Sequence, residues 1–136
     1  MGNKVFVDTN ILLYAYSGTE IEKKERVLSL LEQEKVCFST QVINEFIWVM
    51  NRKFNVDTAS LKLISDSLFE MYDVALIDKG SITNAIDICS KYKFSYWDSL
   101  MISSAIRSNC HILYTEDLQH RQVIESSLTI INPFMG

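Results

Sequence analysis

The chain is poor in residues that interrupt regular structure, with one proline and four glycines in 136 positions. Gly and Pro are the strongest punctuators of helices and strands. Their scarcity excludes long irregular loops and low-complexity tracts, and no linker divides the chain. Cysteine is equally sparse. Cys37, Cys89 and Cys110 are odd in number, far apart and each set in an apolar stretch. That pattern excludes a zinc site built from C-x-x-C pairs, and buried, reduced thiols are expected. Two histidines, His111 and His120, are too few for a His-rich metal centre and are expected to be structural or surface residues. Long hydrophobic runs are missing, since none approaches the roughly 18 residues of a membrane span. The opening Met1-Gly2-Asn3-Lys4-Val5 does not read as a signal peptide. A soluble, cytoplasmic protein without a membrane partner is therefore expected.

A basic excess is lacking too. Thirteen Lys and Arg face seventeen Asp and Glu, for a net charge of −4. Tight, extended binding of nucleic acid relies on counterion release to a basic surface, so the charge balance counts against it. It leaves room for an enzyme whose substrate phosphate is held mainly by bound metal. Arg52, Lys53, Lys91, Lys93, Arg107 and Arg121 are candidates to help such an enzyme, and any one of them could instead be a solvated surface charge.

What is present is an ordinary globular balance, 48% hydrophobic and 22% charged. That suits a single domain spanning residues 1–136 with a real core. Lys4–Val7 is a short β-branched and aromatic run, a buried strand. The pattern then predicts helices over 9–17 and 20–34, and a strand over 36–39. A helix over about 40–54 follows, capped by Thr40. Another begins at Asp57 or Thr58, with Leu61, Ile64, Leu68 and Met71 at helical spacing. A strand over 74–77, helices over 81–91 and 96–108, and strands at 111–115 and Leu128–Ile131 complete the chain. Strands alternating with helices predict an α/β fold, a three-layer α/β/α sandwich around a parallel sheet of four or five strands. Ligands of such sheets bind beyond the carboxyl ends of the strands.

Four acidic residues sit where packing does not explain them. Asp8 and Asp117 close hydrophobic strands at that edge. Glu45 falls on or beside an apolar helix face formed by Val42, Phe46 and Val49, and Asp98 shares a face with Met101, Ile102 and Ala105. Each also has a plainer explanation. Asp8 could cap the following helix, Asp98 could meet a helix dipole, and Glu45 could be a surface residue. Asp117 could cap a short turn, and its neighbour Glu116 could be the functional acid. Together they are harder to dismiss. Two carboxylates about 5 Å apart at an effective dielectric of ~20 repel by roughly 3 kcal/mol. Four converging ones need protonation or a cation, and hard oxygen donors select Mg²⁺ or Mn²⁺.

These residues resemble the PIN-domain ribonucleases. The likeness runs through Val7-Asp8-Thr9-Asn10, Asn44-Glu45, Ser95-Tyr96-Trp97-Asp98-Ser99-Leu100 and Tyr114-Thr115-Glu116-Asp117-Leu118. The tail from Glu116 to Phe134 is similar to small stand-alone members, many of them toxins of VapBC-type pairs. The resemblance implies that Asp8, Glu45, Asp98 and Asp117 are the catalytic, metal-binding acids. It places Thr9, Asn10, Ser99 and Thr115 where polar groups orient those ligands. It also implies an RNA substrate, an antitoxin protein as partner and a homodimer. The implied chemistry is in-line displacement by a metal-activated water, leaving 5′-phosphate and 3′-hydroxyl ends. Where the family pattern often has glycine after Leu118-Gln119-His120, this chain has Arg121. Two rivals stand beside this reading. A phosphotransferase of the haloacid-dehalogenase type needs Asp where Asn10 stands. A catalytically silent RNA- or protein-binding module on the same fold would keep the acids without activity.

Overall fold

Strand formation follows the apolar segments closely. A computed structural model describes residues 4–135, so residues 1–3 and 136, the ends of the expected single domain, lie outside the described residues. The elements run β1 (Lys4–Val7), α1 (Thr9–Tyr14), α2 (Ile21–Gln33), β2 (Lys35–Ser39), α3 (Thr40–Arg52) and α4 (Thr58–Met71). They continue with β3 (Asp73–Ala75), α5 (Lys79–Tyr92), α6 (Tyr96–Arg107), β4 (Ile112–Tyr114), β5 (Val123–Ile124) and β6 (Leu128–Ile131).

The sheet order is β3-β2-β1-β4-β6-β5. The five strands expected from the sequence pair in parallel, and the short β5 adds an antiparallel edge beside β6. Helices flank the sheet: α6 lies over β2 and β4 and packs along α5, while α1 packs on α2 and α3. Val5, Phe6, Val7, Leu113 and Ile130 are fully buried in the central strands. Continuous apolar runs of this kind belong to strands covered on both faces.

Several element ends differ from expectation for local reasons. Strand β3 stops at Ala75 because its partner, Ser39, is the last residue of β2, leaving Leu76 and Ile77 nothing to pair with. Ser39, still extended, caps α3 in place of Thr40, its hydroxyl accepting from the Val42 N–H. Helix α1 ends early, and the Ser17 hydroxyl accepts instead from the amides of Thr19 and Glu20. The scarcity of glycine also shows, because among the described residues six non-glycine residues adopt positive φ. Arg121 is one, at φ 72°, the left-handed conformation that glycine adopts without penalty. The loop therefore has a backbone conformation that suits glycine, with an arginine in that place.

The topology decides where a site can form. From β1 the chain moves to β2 and β3 on one side, then crosses to β4 on the other. The order thus reverses between β1 and β4, and a crevice opens beyond the carboxyl ends of these two strands. Asp8 directly follows β1, and Thr115, Glu116 and Asp117 directly follow β4.

Candidate active site

Four elements deliver one acid each to a cavity of about 130 Å³ at this switch point. Asp8, Glu45, Asp98 and Asp117 all line it. Asp8 comes from the end of β1, Glu45 from the second turn of α3, Asp98 from the first turn of α6, and Asp117 from the bend after β4.

Asp8 is the buried member. One carboxylate oxygen accepts from the Thr9 N–H at 2.6 Å, which makes Asp8 the N-cap of α1. The other accepts from the Thr115 hydroxyl at 2.8 Å. Capping and lining the cavity are thus combined in one side chain. Burial pushes its pKa up from 3.8 to about 6; the hydrogen bond from Thr115 opposes the rise, and the charge of Asp117 adds to it. The Thr9 amide lowers it in turn, and Glu45 raises it again. Two of the other acids are therefore close enough for their charges to be felt at Asp8.

Each of those two is held by a neutral donor. The Thr9 hydroxyl donates to Glu45 Oε2 at 3.0 Å, and the Gln41 amide donates to Glu45 Oε1 at 3.2 Å. Asn10 Nδ2 donates to Asp117 Oδ2 at 3.1 Å, and the Thr115 hydroxyl accepts from the Asp117 N–H at 3.2 Å. Thr9, Asn10 and Thr115 thus touch the acids directly. Ser99 does not: its hydroxyl donates to the Ser95 carbonyl one turn earlier, and the side chain is buried away from the cavity. Residues adjacent on a helix point about 100° apart, so the position beside Asp98 faces the core. Asp98 itself leaves the capping of α6 to Ser95, whose hydroxyl accepts from the Asp98 N–H at 3.1 Å.

Glu45 is exposed, while Val42 and Phe46 beside it on α3 are buried. It sits where the apolar stripe of α3 meets the open side of the cavity. Glu116 is turned away from the site, accepting from the Tyr14 hydroxyl and from Lys23 Nζ at 3.0 Å. Burial raises its pKa, but these two hydrogen bonds and the charge of Lys23 outweigh it and hold the group below its usual value. Of the two neighbouring acids, Asp117 is the one in the cavity.

The cations expected to assist are elsewhere. Among the described residues, no Lys or Arg lines the acidic cavity. Lys91 pairs with Glu125 and Arg107 with Asp78, while Arg52 and Lys53 lie over the rings of Trp48 and Phe54. His120 is structural, its Nδ1 accepting from the Asn132 N–H at 2.9 Å. Cys37 and Cys110 are buried, Cys89 is partly so, and all three are free thiols.

A divalent ion fits the donor set, which consists of carboxylates with amide and hydroxyl groups between them. Among the described residues, no three Asp, Glu, His or Cys side chains already stand as a ready chelating group. The two carboxylates whose charges reach Asp8, Glu45 and Asp117, are each held by neutral donors. Among the described residues, one buried side-chain atom of the cavity lining lacks a hydrogen-bond partner. Gln41 Oε1 is buried without a hydrogen bond, while Nε2 of the same amide bridges Glu45 and the Trp97 carbonyl. Gln41 and Trp97 both line the cavity and carry no charge or spacing signal that marks them in the sequence.

Likeness to known proteins agrees with this architecture. Chain and structure superpose on a toxin-antitoxin complex from Klebsiella pneumoniae at 17% identity, with a TM-score of 0.72 over 96% of this chain and 98% of that one. VapC20, a sarcin-ricin loop cleaving toxin of Mycobacterium tuberculosis, matches at 14% identity and TM-score 0.68 over 83% of this chain and 89% of its own. The DNA-bound VapBC of Salmonella typhimurium matches at 14% and 0.67, covering 94% and 96%. No curated protein matches the chain in sequence. At such low identities the superpositions establish the fold alone. The sequence pattern of the PIN domain, however, matches residues 5–125, nearly the whole chain. By that match, and with an acidic cavity at the switch point of its sheet, the chain belongs to the PIN domain family.

Proposed function

We propose that the protein is a metal-dependent endoribonuclease that cuts RNA phosphodiester bonds with an activated water, and that it is the toxin of a toxin–antitoxin pair. The observation that carries this reading is the convergence of Asp8, Glu45, Asp98 and Asp117 from four elements on one cavity. Family membership and likeness to VapC-type toxin structures support a ribonuclease.

Asp8, Glu45, Asp98 and Asp117 are the residues that would hold Mg²⁺ or Mn²⁺. When bound, such an ion polarises the phosphodiester and acidifies water. The chain supplies the rest. Thr115 fixes Asp8 and the Asp117 backbone together, Thr9 fixes Glu45, and Asn10 fixes Asp117. These bonds hold the carboxylates facing the cavity before anything enters it, and preorganisation of this kind removes reorganisation from the reacting step. Imidazole-driven attack by the RNA 2′-hydroxyl has no support here, because neither histidine borders the cavity. The products are therefore 5′-phosphate and 3′-hydroxyl ends.

The partners follow from the same reading: an RNA substrate, an antitoxin protein and a second copy of the chain. Solved structures of the same fold include toxin–antitoxin complexes. Beside the acids lies a larger groove of about 700 Å³, walled by Leu13, Tyr16, Val49 and Phe54, which suits an apolar partner segment. No helix among the described residues is long and apolar enough to cross a membrane.

The test is incubation of purified protein with single-stranded RNA and Mn²⁺ or Mg²⁺, followed by analysis of the new ends. Cleavage that EDTA stops, with 5′-phosphate ends, supports the reading. Cleavage in EDTA, or 2′,3′-cyclic phosphate ends, contradicts it.

A further inference from the structure

Trp97 is 65% exposed, and it is one of the residues that line the acidic cavity. A tryptophan left this open forfeits a large share of the burial energy that ordinarily places it inside a protein. Its backbone is tied to the site and its ring meets one neighbour. Tyr96 meets the indole edge to face, with ring centroids 5.4 Å apart. The Gln41 amide donates both to the Trp97 carbonyl at 3.1 Å and to Glu45 Oε1 at 3.2 Å. Trp97 also sits in the first turn of α6, one residue before Asp98. The indole is thus carried on the scaffold that carries two of the acids.

Electrostatics leave a gap that this ring can fill. The chain has a net charge of −4, and among the described residues the cavity has no Lys or Arg in its lining. Counterion release, the usual source of affinity for nucleic acid, is therefore weak beside the acids. Stacking of a base on an aromatic face needs no charge, and the strength of one such stack is substantial. The other tryptophan, Trp48, is 63% exposed but lies outside the cavity lining, with the Arg52 guanidinium 5.8 Å above its ring.

We infer that Trp97 is a stacking platform for an unpaired nucleobase next to the scissile phosphate. The inference rests on the nuclease reading and sharpens it, because the substrate class becomes single-stranded or looped RNA. A duplex keeps its bases stacked on each other and offers no free face. Gln41 ties the Trp97 backbone, at the start of α6, to Glu45 on α3.

The chain has two tryptophans, so Trp48→Phe leaves Trp97 as the sole indole fluorophore. This variant is titrated with an unpaired hexaribonucleotide and with a blunt RNA duplex of the same composition. Ca²⁺, larger and less demanding in geometry than Mg²⁺, is present so that binding is read without turnover. The single strand should quench the indole and the duplex should not. Read by the anisotropy of a fluorescently labelled hexamer, Trp97→Ala should weaken single-strand binding by about 5- to 150-fold, the range for one base stack, and Trp97→Phe should restore most of it. In the Mn²⁺ cleavage assay the loss should appear in KM, with kcat nearly unchanged. Cleavage of single strands by Trp97→Ala with the wild-type KM overturns the platform and leaves the nuclease reading intact. Quenching by the hexamer without any Mn²⁺-dependent cleavage overturns the nuclease reading and with it a platform beside a scissile phosphate, leaving only a base-binding surface. If Trp97→Ala instead changes the sedimentation of the protein and not its RNA affinity, a second copy occupies the indole and the inference fails.

Discussion

Replacing Asp8 by Asn should stabilise the metal-free protein at neutral pH. Its folded-state pKa of about 6 lies above the unfolded value of 3.8. For a group raised in this way, the stabilising state is the protonated one. Its contribution is complete below about pH 4 and is lost as pH rises through 6. At 1.36 kcal/mol per unit, the ionised carboxylate costs the fold about 3 kcal/mol at pH 7. Asparagine carries no charge, keeps an oxygen that can accept from the Thr9 N–H, and gives up the strong hydrogen bond from Thr115. The net gain should be about 1–3 kcal/mol. Urea unfolding of both proteins in EDTA, between pH 4 and pH 8, reads the difference directly. Asp8→Asn should be the more stable protein at pH 7.5, and the gap should close as the wild type regains stability below pH 6. With Mn²⁺ added, the order should narrow or reverse, since only the wild type has all four acids. A variant less stable than wild type at pH 7.5 in EDTA, or a gap independent of pH, would refute the account of Asp8 as a carboxylate strained by burial and by its acidic neighbours.

Other substitutions separate catalytic from structural roles. Asp98→Asn should abolish Mn²⁺-dependent cleavage and leave thermal stability in EDTA unchanged or higher, because Ser95 already caps α6; a large fall in melting temperature would make Asp98 structural. Glu116→Gln should keep near-wild-type cleavage, whereas Asp117→Asn should lose at least about 100-fold, judged by the effect of disturbing metal ligands and their supports; equal losses in the two would contradict the placement of the acids. Thr115→Val removes the donor to Asp8 and the acceptor for the Asp117 amide. It should cost about 1–3 kcal/mol in urea unfolding and lower cleavage as well. Arg121→Gly should be neutral or stabilising by up to about 1 kcal/mol, since it relieves a left-handed φ at the cost of backbone entropy.

The parts of the fold visible in the sequence are those set by local pattern. Lys4–Val7 and Leu128–Ile131 are strands at the expected bounds because their apolar runs end abruptly at Asp8 and Asn132. Strand β5 escaped because two residues, Val123 and Ile124, make no periodicity, and the antiparallel pairing is imposed by the turn into β6. Asp117 stands out because it follows the apolar run of β4 by three residues, and Asp8 because an acid directly after a hydrophobic strand breaks its pattern. Glu45 and Asp98 stand out because acids beside an apolar stripe do the same. Ser99 does not touch the acids, since sequence adjacency on a helix does not imply a shared face. The cations were legible as residues but not as positions, because their ion pairs and ring contacts are set by tertiary packing. Gln41 and Trp97 left no mark: an amide and an aromatic are ordinary in helices, and their place in the cavity emerges only once α3 and α6 are brought together.

The central claim is that four carboxylates from four elements act as one cation site. Calorimetric titration of Mn²⁺ into the wild type and into Asp8→Asn, Glu45→Gln, Asp98→Asn and Asp117→Asn measures it most directly. The account predicts saturable binding to the wild type and affinity at least about tenfold weaker in every variant. Absence of binding to the wild type, or full affinity retained in any one of the four variants, would contradict it.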